Sequence, residues 1–116
     1  MEEASTVLTV YRTTKHDPPR REDFLSNRGL GLPQGSEESE EEWISISSFK
    51  TARKCKKRAA RRNPDGYIVR FDLVNGQPIT IGHVSKNGHV NLIGDPDDFV
   101  QLASTATIVR VSDVED

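Results

Sequence analysis

The sequence predicts an α+β fold: a small, mostly antiparallel sheet of five to six strands carrying two or three packed helices. Two observations lead there. Short segments with period-two alternation recur through the chain, and one pair of them flanks Asn87-Gly88, a strong hairpin signal. Helical segments do not alternate strictly with the strands, which argues against a doubly wound parallel sheet. Length sets the scale, since 116 residues suit one domain, 1–116, around one hydrophobic core. Leu, Ile, Val and Phe number only 28, so that core is modest and some segment is expected to be loose.

Residues 6–13 are rich in β-branched and aromatic types and read as a strand. Leu8, Val10 and Arg12 share one face of it, and Val7, Thr9 and Tyr11 the other. An arginine closing an apolar stripe needs a partner or a cleft. Asp17-Pro18 has the form of a helix N-cap followed by a first-turn proline, and predicts a helix over 18–27 with Phe24 and Leu25 on its inner face. Residues 29–42 offer little to pack beyond Leu30 and Leu32 and read as a flexible acidic loop. Residues 43–49 alternate like a strand. The stretch 50–62 follows as a basic helix, with Ser48 suited to its start and a narrow inner stripe of Phe49, Ala52, Cys55 and Ala59. Asn63-Pro64-Asp65-Gly66 stops it.

Residues 67–73 form the clearest strand, with Tyr67, Val69, Phe71 and Leu73 facing the core. Segments 78–85 and 89–93 form the hairpin. Asp95, Pro96, Asp97 and Asp98 start a helix whose Phe99, Leu102 and Ala103 pack inward. Residues 107–111 supply a last strand, and 113–116 a frayed tail.

Net charge is only −2, but the charges are segregated. Residues 36–42 hold five glutamates, and 50–62 hold eight cations: Lys50, Arg53, Lys54, Lys56, Lys57, Arg58, Arg61 and Arg62. A helix so basic can lie along phosphates, with Lys50, Arg53, Lys54, Lys57, Arg58 and Arg61 as the contacts, in a non-specific, salt-sensitive way. The acidic loop is a candidate to mask it.

No apolar run is long enough for a membrane span, and the start Met1-Glu2-Glu3 lacks the pattern of a secretory signal, so a cytoplasmic protein without a membrane partner is expected. The single cysteine excludes an internal disulfide and a cysteine-based zinc site. A two-residue turn at Asn87-Gly88 would put His83 and His89 on opposite faces, so no metal site is expected from them. Cys55 falls on the packing stripe, and the Asp95 cluster has a capping role. Arg12 and the Ser45, Ser47 and Ser48 group carry the functional interest, because guanidinium suits a diphosphate and hydroxyls suit a ribose.

Tyr11-Arg12, Pro18-Pro19, Asp23-Phe24-x-Ser26, Trp43, Ile46-Ser47-x-Phe49-x-Thr51, Gly66-Tyr67-Ile68 and Gly88-His89-x-x-Leu92-x-Gly94-Asp95-Pro96 occur in that order. In these motifs, over about residues 10–100, the chain resembles a family of small, largely uncharacterised bacterial proteins. More distantly its layout resembles the ADP-ribosyltransferase fold. That resemblance implies NAD as cofactor, with Arg12, Ser47 and His89 in catalytic roles and Arg12, Ser47 and Thr51 in cofactor binding. The acidic residue such enzymes carry on a late strand has no counterpart here. A binding-class alternative therefore stands beside it: an interaction module for a protein or for nucleic acid, as in a toxin–antitoxin or mobile-element system.

Overall fold

The computed structural model describes residues 6–114. Its centre is one antiparallel sheet of six strands: β1 (Thr6–Thr14), β2 (Ile46–Phe49), β3 (Tyr67–Val74), β4 (Thr80–Val84), β5 (His89–Ile93) and β6 (Thr107–Arg110). Their order across the sheet is β4-β5-β2-β1-β3-β6. Three helices pack on it: α1 (Glu40–Ile44), α2 (Ala52–Arg62) and α3 (Pro96–Ala103). The α+β class and the antiparallel sheet follow the sequence expectation.

Alternation assigns the two faces. Val10, Ile46, Val69, Phe71, Leu73, Val90 and Leu92 form one apolar surface, covered by Phe24 and by Phe99 and Ala103 of α3. Phe24, Phe71 and Phe99 interlock there, with ring centroids 5.6 to 6.1 Å apart. Burying aromatic rings in such offset contacts dominates the energetics of a core this small. The opposite face is covered by α2, where Cys55 and Ala59 pack on Ile68 and Val111 with Tyr11 and Phe49 beside them. The small residues Cys55 and Ala59 let α2 approach the sheet closely. Its end is tied to β1 by Asn63, whose amide donates to the Thr14 carbonyl at 2.9 Å. Gly66 permits this crossing, since a Cβ there would stand 2.6 Å from that same carbonyl oxygen.

Four sequence expectations are corrected. The segment 18–27 is not a helix but a 3-10 turn at Arg21–Phe24. The cause is Asp23, which is buried rather than exposed on a first turn. Its carboxylate accepts from the backbone amides of Lys15 and Arg20, both at 2.9 Å, and faces His16 Nδ1 at 3.0 Å, which folds the chain back on itself. Trp43 and Ile44 end α1 rather than begin a strand; β2 starts at Ile46. Helix α1 is started by Ser39, whose Oγ accepts from the Glu42 amide. The cap of α2 is Thr51 rather than Ser48, with Thr51 Oγ1 accepting from the Lys54 amide. Ser48 is instead buried in β2, donating to the Val90 carbonyl.

The hairpin is the fourth correction. Ser85 pairs with His89 through the Ser85 amide and the His89 carbonyl, leaving a loop of Lys86, Asn87 and Gly88, with Gly88 at φ 92°. A bulge lies between Ile81 and Val84. This register brings His83 to the same face as Asn91 and His89, not the opposite one. By contrast, Asp95 caps α3 as expected, its carboxylate accepting from the Asp97 amide at 2.9 Å with Pro96 in the first turn. Of the tail 113–116, Asp113 closes a 3-10 turn and the last two residues lie outside the described ones. The segment 29–42 is exposed along most of its length, with Glu38 receiving the side-chain amide of Asn27 at 2.7 Å.

Candidate functional site

The site lies on the α2 face of the sheet, in the gap between α1 and α2. Its floor is dictated by register. Ser47 pairs with Asn91 and Phe49 with His89 across β2 and β5, so these four side chains point to the same side. The cleft above them has a volume of about 560 Å³. Arg58 and Arg62 of α2 form one wall, and Glu38 and Glu42 the facing one. Arg58 and Arg62 are four residues apart and so stack along one flank of the helix.

Two polar side chains of the floor meet directly. His89 Nε2 lies 3.0 Å from Ser47 Oγ. The Phe49 ring packs edge-on against the His89 imidazole, with centroids 5.5 Å apart. Burial pushes the His89 pKa below its ordinary value, and the positive charge of Arg58 pushes it the same way; Glu42 partly opposes them. At neutral pH the ring is therefore the uncharged form, able to accept a proton at one nitrogen while donating at the other.

Arg12 closes the end of the cleft but stands differently from Ser47 and His89. Strands β1 and β2 register only at Tyr11 and Phe49, and then part. The Arg12 side chain leaves the core face, lies over the Phe24 ring at 5.9 Å and fills the parting. Its Nη1 donates to the Ser47 carbonyl at 2.7 Å, and its Nε and Nη2 donate to the Asp23 carbonyl at 3.1 and 2.8 Å. Every guanidinium nitrogen thus holds a backbone oxygen. Burial lowers its pKa to about 10, which leaves it charged at neutral pH.

The structure therefore brings Arg12, Ser47 and His89 to one cleft, with Arg12 reaching it from the other face of the sheet. Thr51 is exposed and spent on capping α2, and does not line the cleft. Of the basic residues, Arg58 belongs to the cleft wall, while Lys50, Arg53, Lys54, Lys57 and Arg61 are exposed outside it. Sequence reasoning missed Asn91, Arg62, Glu38 and Glu42. Asn91 follows from the register of β2 and β5. Glu42 was within reach, since Ser39-x-x-Glu42 has the spacing of a helix-start capping box.

The acidic segment and the basic helix therefore meet across the cleft, yet no ion pair joins them among the described residues. Among those residues no group of three His, Cys, Asp or Glu side chains is placed to hold a metal ion. No helix is long and apolar enough to cross a membrane. Compared with known proteins, the chain matches no family model, and no curated protein and no solved structure matches it.

Proposed function

We propose that the cleft between α1 and α2 binds NAD. The observation that carries this reading is the pairing of Ser47 Oγ with a neutral His89 on the floor of a cleft walled by two arginines. Arginine presents paired N–H donors that suit phosphate oxygens, and Arg58 and Arg62 hold theirs toward the cleft. Ser47, His89 and Asn91 offer both donors and acceptors to ribose hydroxyls. Phe49 offers an apolar edge for a ring. The diphosphate contact expected of Arg12 passes to Arg58 and Arg62. Arg12 is a positioning residue, because it fixes the Ser47 backbone that presents the hydroxyl.

Glu42 favours a second step, ADP-ribosyl transfer. It brings a carboxylate to the cleft from an element that no strand pattern announced. A carboxylate beside a ribose stabilises the positive charge that grows on it as the bond to nicotinamide breaks. Nicotinamide leaves neutral with that bond's electron pair, and water, the simplest acceptor, forms the new C–O bond and gives up its proton.

Calorimetric titration with NAD tests the binding. The wild type is expected to bind, and the Arg58→Ala/Arg62→Ala and Ser47→Ala variants to bind at least tenfold more weakly, a loss of about 1.4 kcal/mol or more. No heat from wild type, or equal binding by all three, overturns it. For the transfer step, nicotinamide release is expected to fall on Glu42→Gln while NAD binding persists.

A further inference from the structure

Helix α2 carries cations on three flanks, and the cleft uses only one. At 100° per residue, Cys55 and Ala59 face the sheet and Arg58 and Arg62 flank the cleft. Lys56 lies on the flank toward the C-terminal 3-10 turn, its ammonium donating to the Val114 carbonyl. The side opposite the sheet is then a row of Arg53, Lys57 and Arg61, all exposed. Lys54 stands beside the row, its ammonium donating to the Asn87 carbonyl.

Nothing in the helix itself accounts for this row. Like charges at i, i+4 repel along a helix, and Arg53–Lys57–Arg61 makes two such pairs in succession. No acidic residue occupies the first turn, and Arg53 and Lys54 there oppose the positive end of the helix dipole. Only Arg61 and Arg62, in the last turn, suit it. Arg53, Lys57 and Arg61 make no ion pair and no side-chain hydrogen bond among the described residues. None of the five glutamates of the acidic segment forms an ion pair with them among the described residues: Glu38 and Glu42 line the cleft, and Glu41 accepts from the His83 amide of β4. Although the net charge of the protein is −2, no carboxylate among the described residues pairs with this row.

We propose that the outer face of α2 binds the phosphate backbone of nucleic acid, as a surface separate from the cleft. The row extends over eight helical rises, or about 12 Å, which matches the axial rise of roughly three to four nucleotides of one strand. The exposed side chains are arginine and lysine without an interleaved aromatic or amide, so they contact phosphates and do not read bases. Binding is therefore independent of sequence and governed by counterion release. With about three phosphates engaged, one for each cation of the row, log K falls against log salt with a slope of about −2.7 on a duplex, and less steeply on a single strand.

The test is fluorescence polarisation of labelled DNA, as two unrelated duplexes and one single strand, titrated with the full chain from about 50 to about 200 mM salt. The two duplexes are expected to bind equally and to weaken steeply with salt. The Arg53→Ala/Lys57→Ala/Arg61→Ala variant is expected to bind at least tenfold more weakly at low salt, with the slope reduced by about 2 to 3. Alanine at these exposed positions preserves the helix, and an unchanged melting curve confirms it. NAD binding is expected to be unaffected in that variant, and DNA binding unaffected in Ser47→Ala, so the two surfaces succeed or fail separately. No binding at low salt, or equal binding by the triple variant, overturns the proposal. So does polyglutamate of equal charge binding at least tenfold more tightly than DNA at the same salt, which would mark the row as a site for acidic polypeptide.

Discussion

Replacing Arg12 with alanine separates a positioning arginine from one that contacts ligand. The side chain makes three charge-assisted hydrogen bonds to two backbone carbonyls, those of Asp23 and Ser47, and covers the Phe24 ring. Hydrogen bonds to a charged group contribute about 1.5 to 3 kcal/mol each in net terms. They share acceptors here, and the neighbouring cleft admits water to the freed carbonyls, so the three do not add fully. A loss of about 2 to 4 kcal/mol follows for Arg12→Ala. At roughly 4 °C per kcal/mol for a chain of this size, the melting temperature falls by about 8 to 16 °C. Differential scanning calorimetry measures it, and Arg12→Lys is expected to recover only part of the loss, because an ammonium cannot span both carbonyls as a planar fork does. If Arg12→Ala melts within about 2 °C of wild type while losing NAD binding, Arg12 is a ligand contact and the reasoning from its three bonds is refuted.

Three further outcomes are expected. The His89 ring should titrate below 6.5 by NMR; Arg58→Ala should raise the midpoint and Glu42→Gln lower it. Since the unfolded chain takes up that proton near pH 6.5 and the native one only at lower pH, acidification between those two points costs stability, and the full contribution is present above 6.5. Burial raises the Cys55 thiol to about 12, so the native protein should react with a thiol reagent at pH 8 only as fast as it opens, and the unfolded chain at once. Asp23→Asn turns an amide group toward the donors of Lys15, Arg20 and His16, and should cost about 2 to 3 kcal/mol in urea unfolding.

What could be read in the sequence was what local pattern decides. Alternation along 67–73 assigned Val69, Phe71 and Leu73 to a core face, and α3 was legible from Asp95-Pro96 because its cap is local. The basic helix was legible from its small-residue stripe. The misreadings share a cause. Asp17-Pro18 looks like a helix start, but the buried carboxylate of Asp23 gathers backbone donors from both sides, which is a tertiary effect. Asn87-Gly88 looks like a two-residue turn, but the loop has three residues and a bulge follows it in the pairing, so the facing of His83 changed. Ser47 and His89 stood together only as the resemblance implied; their direct contact depends on the pairing of β2 with β5, which joins residues 42 apart in the chain. The acid-bearing wall depended on α1, whose five residues are too few for a periodic signal.

The proposed binding of one nucleotide ligand involves the floor formed by β2 and β5 together with the flank of α2. Amide and side-chain NMR spectra recorded during NAD titration test it most directly. Saturable shifts are expected at Ser47, Phe49, Arg58, Arg62, His89 and Asn91, with Arg53, Lys57 and Arg61 unmoved. Shifts confined to the outer row of α2, or none at saturating NAD, would contradict it.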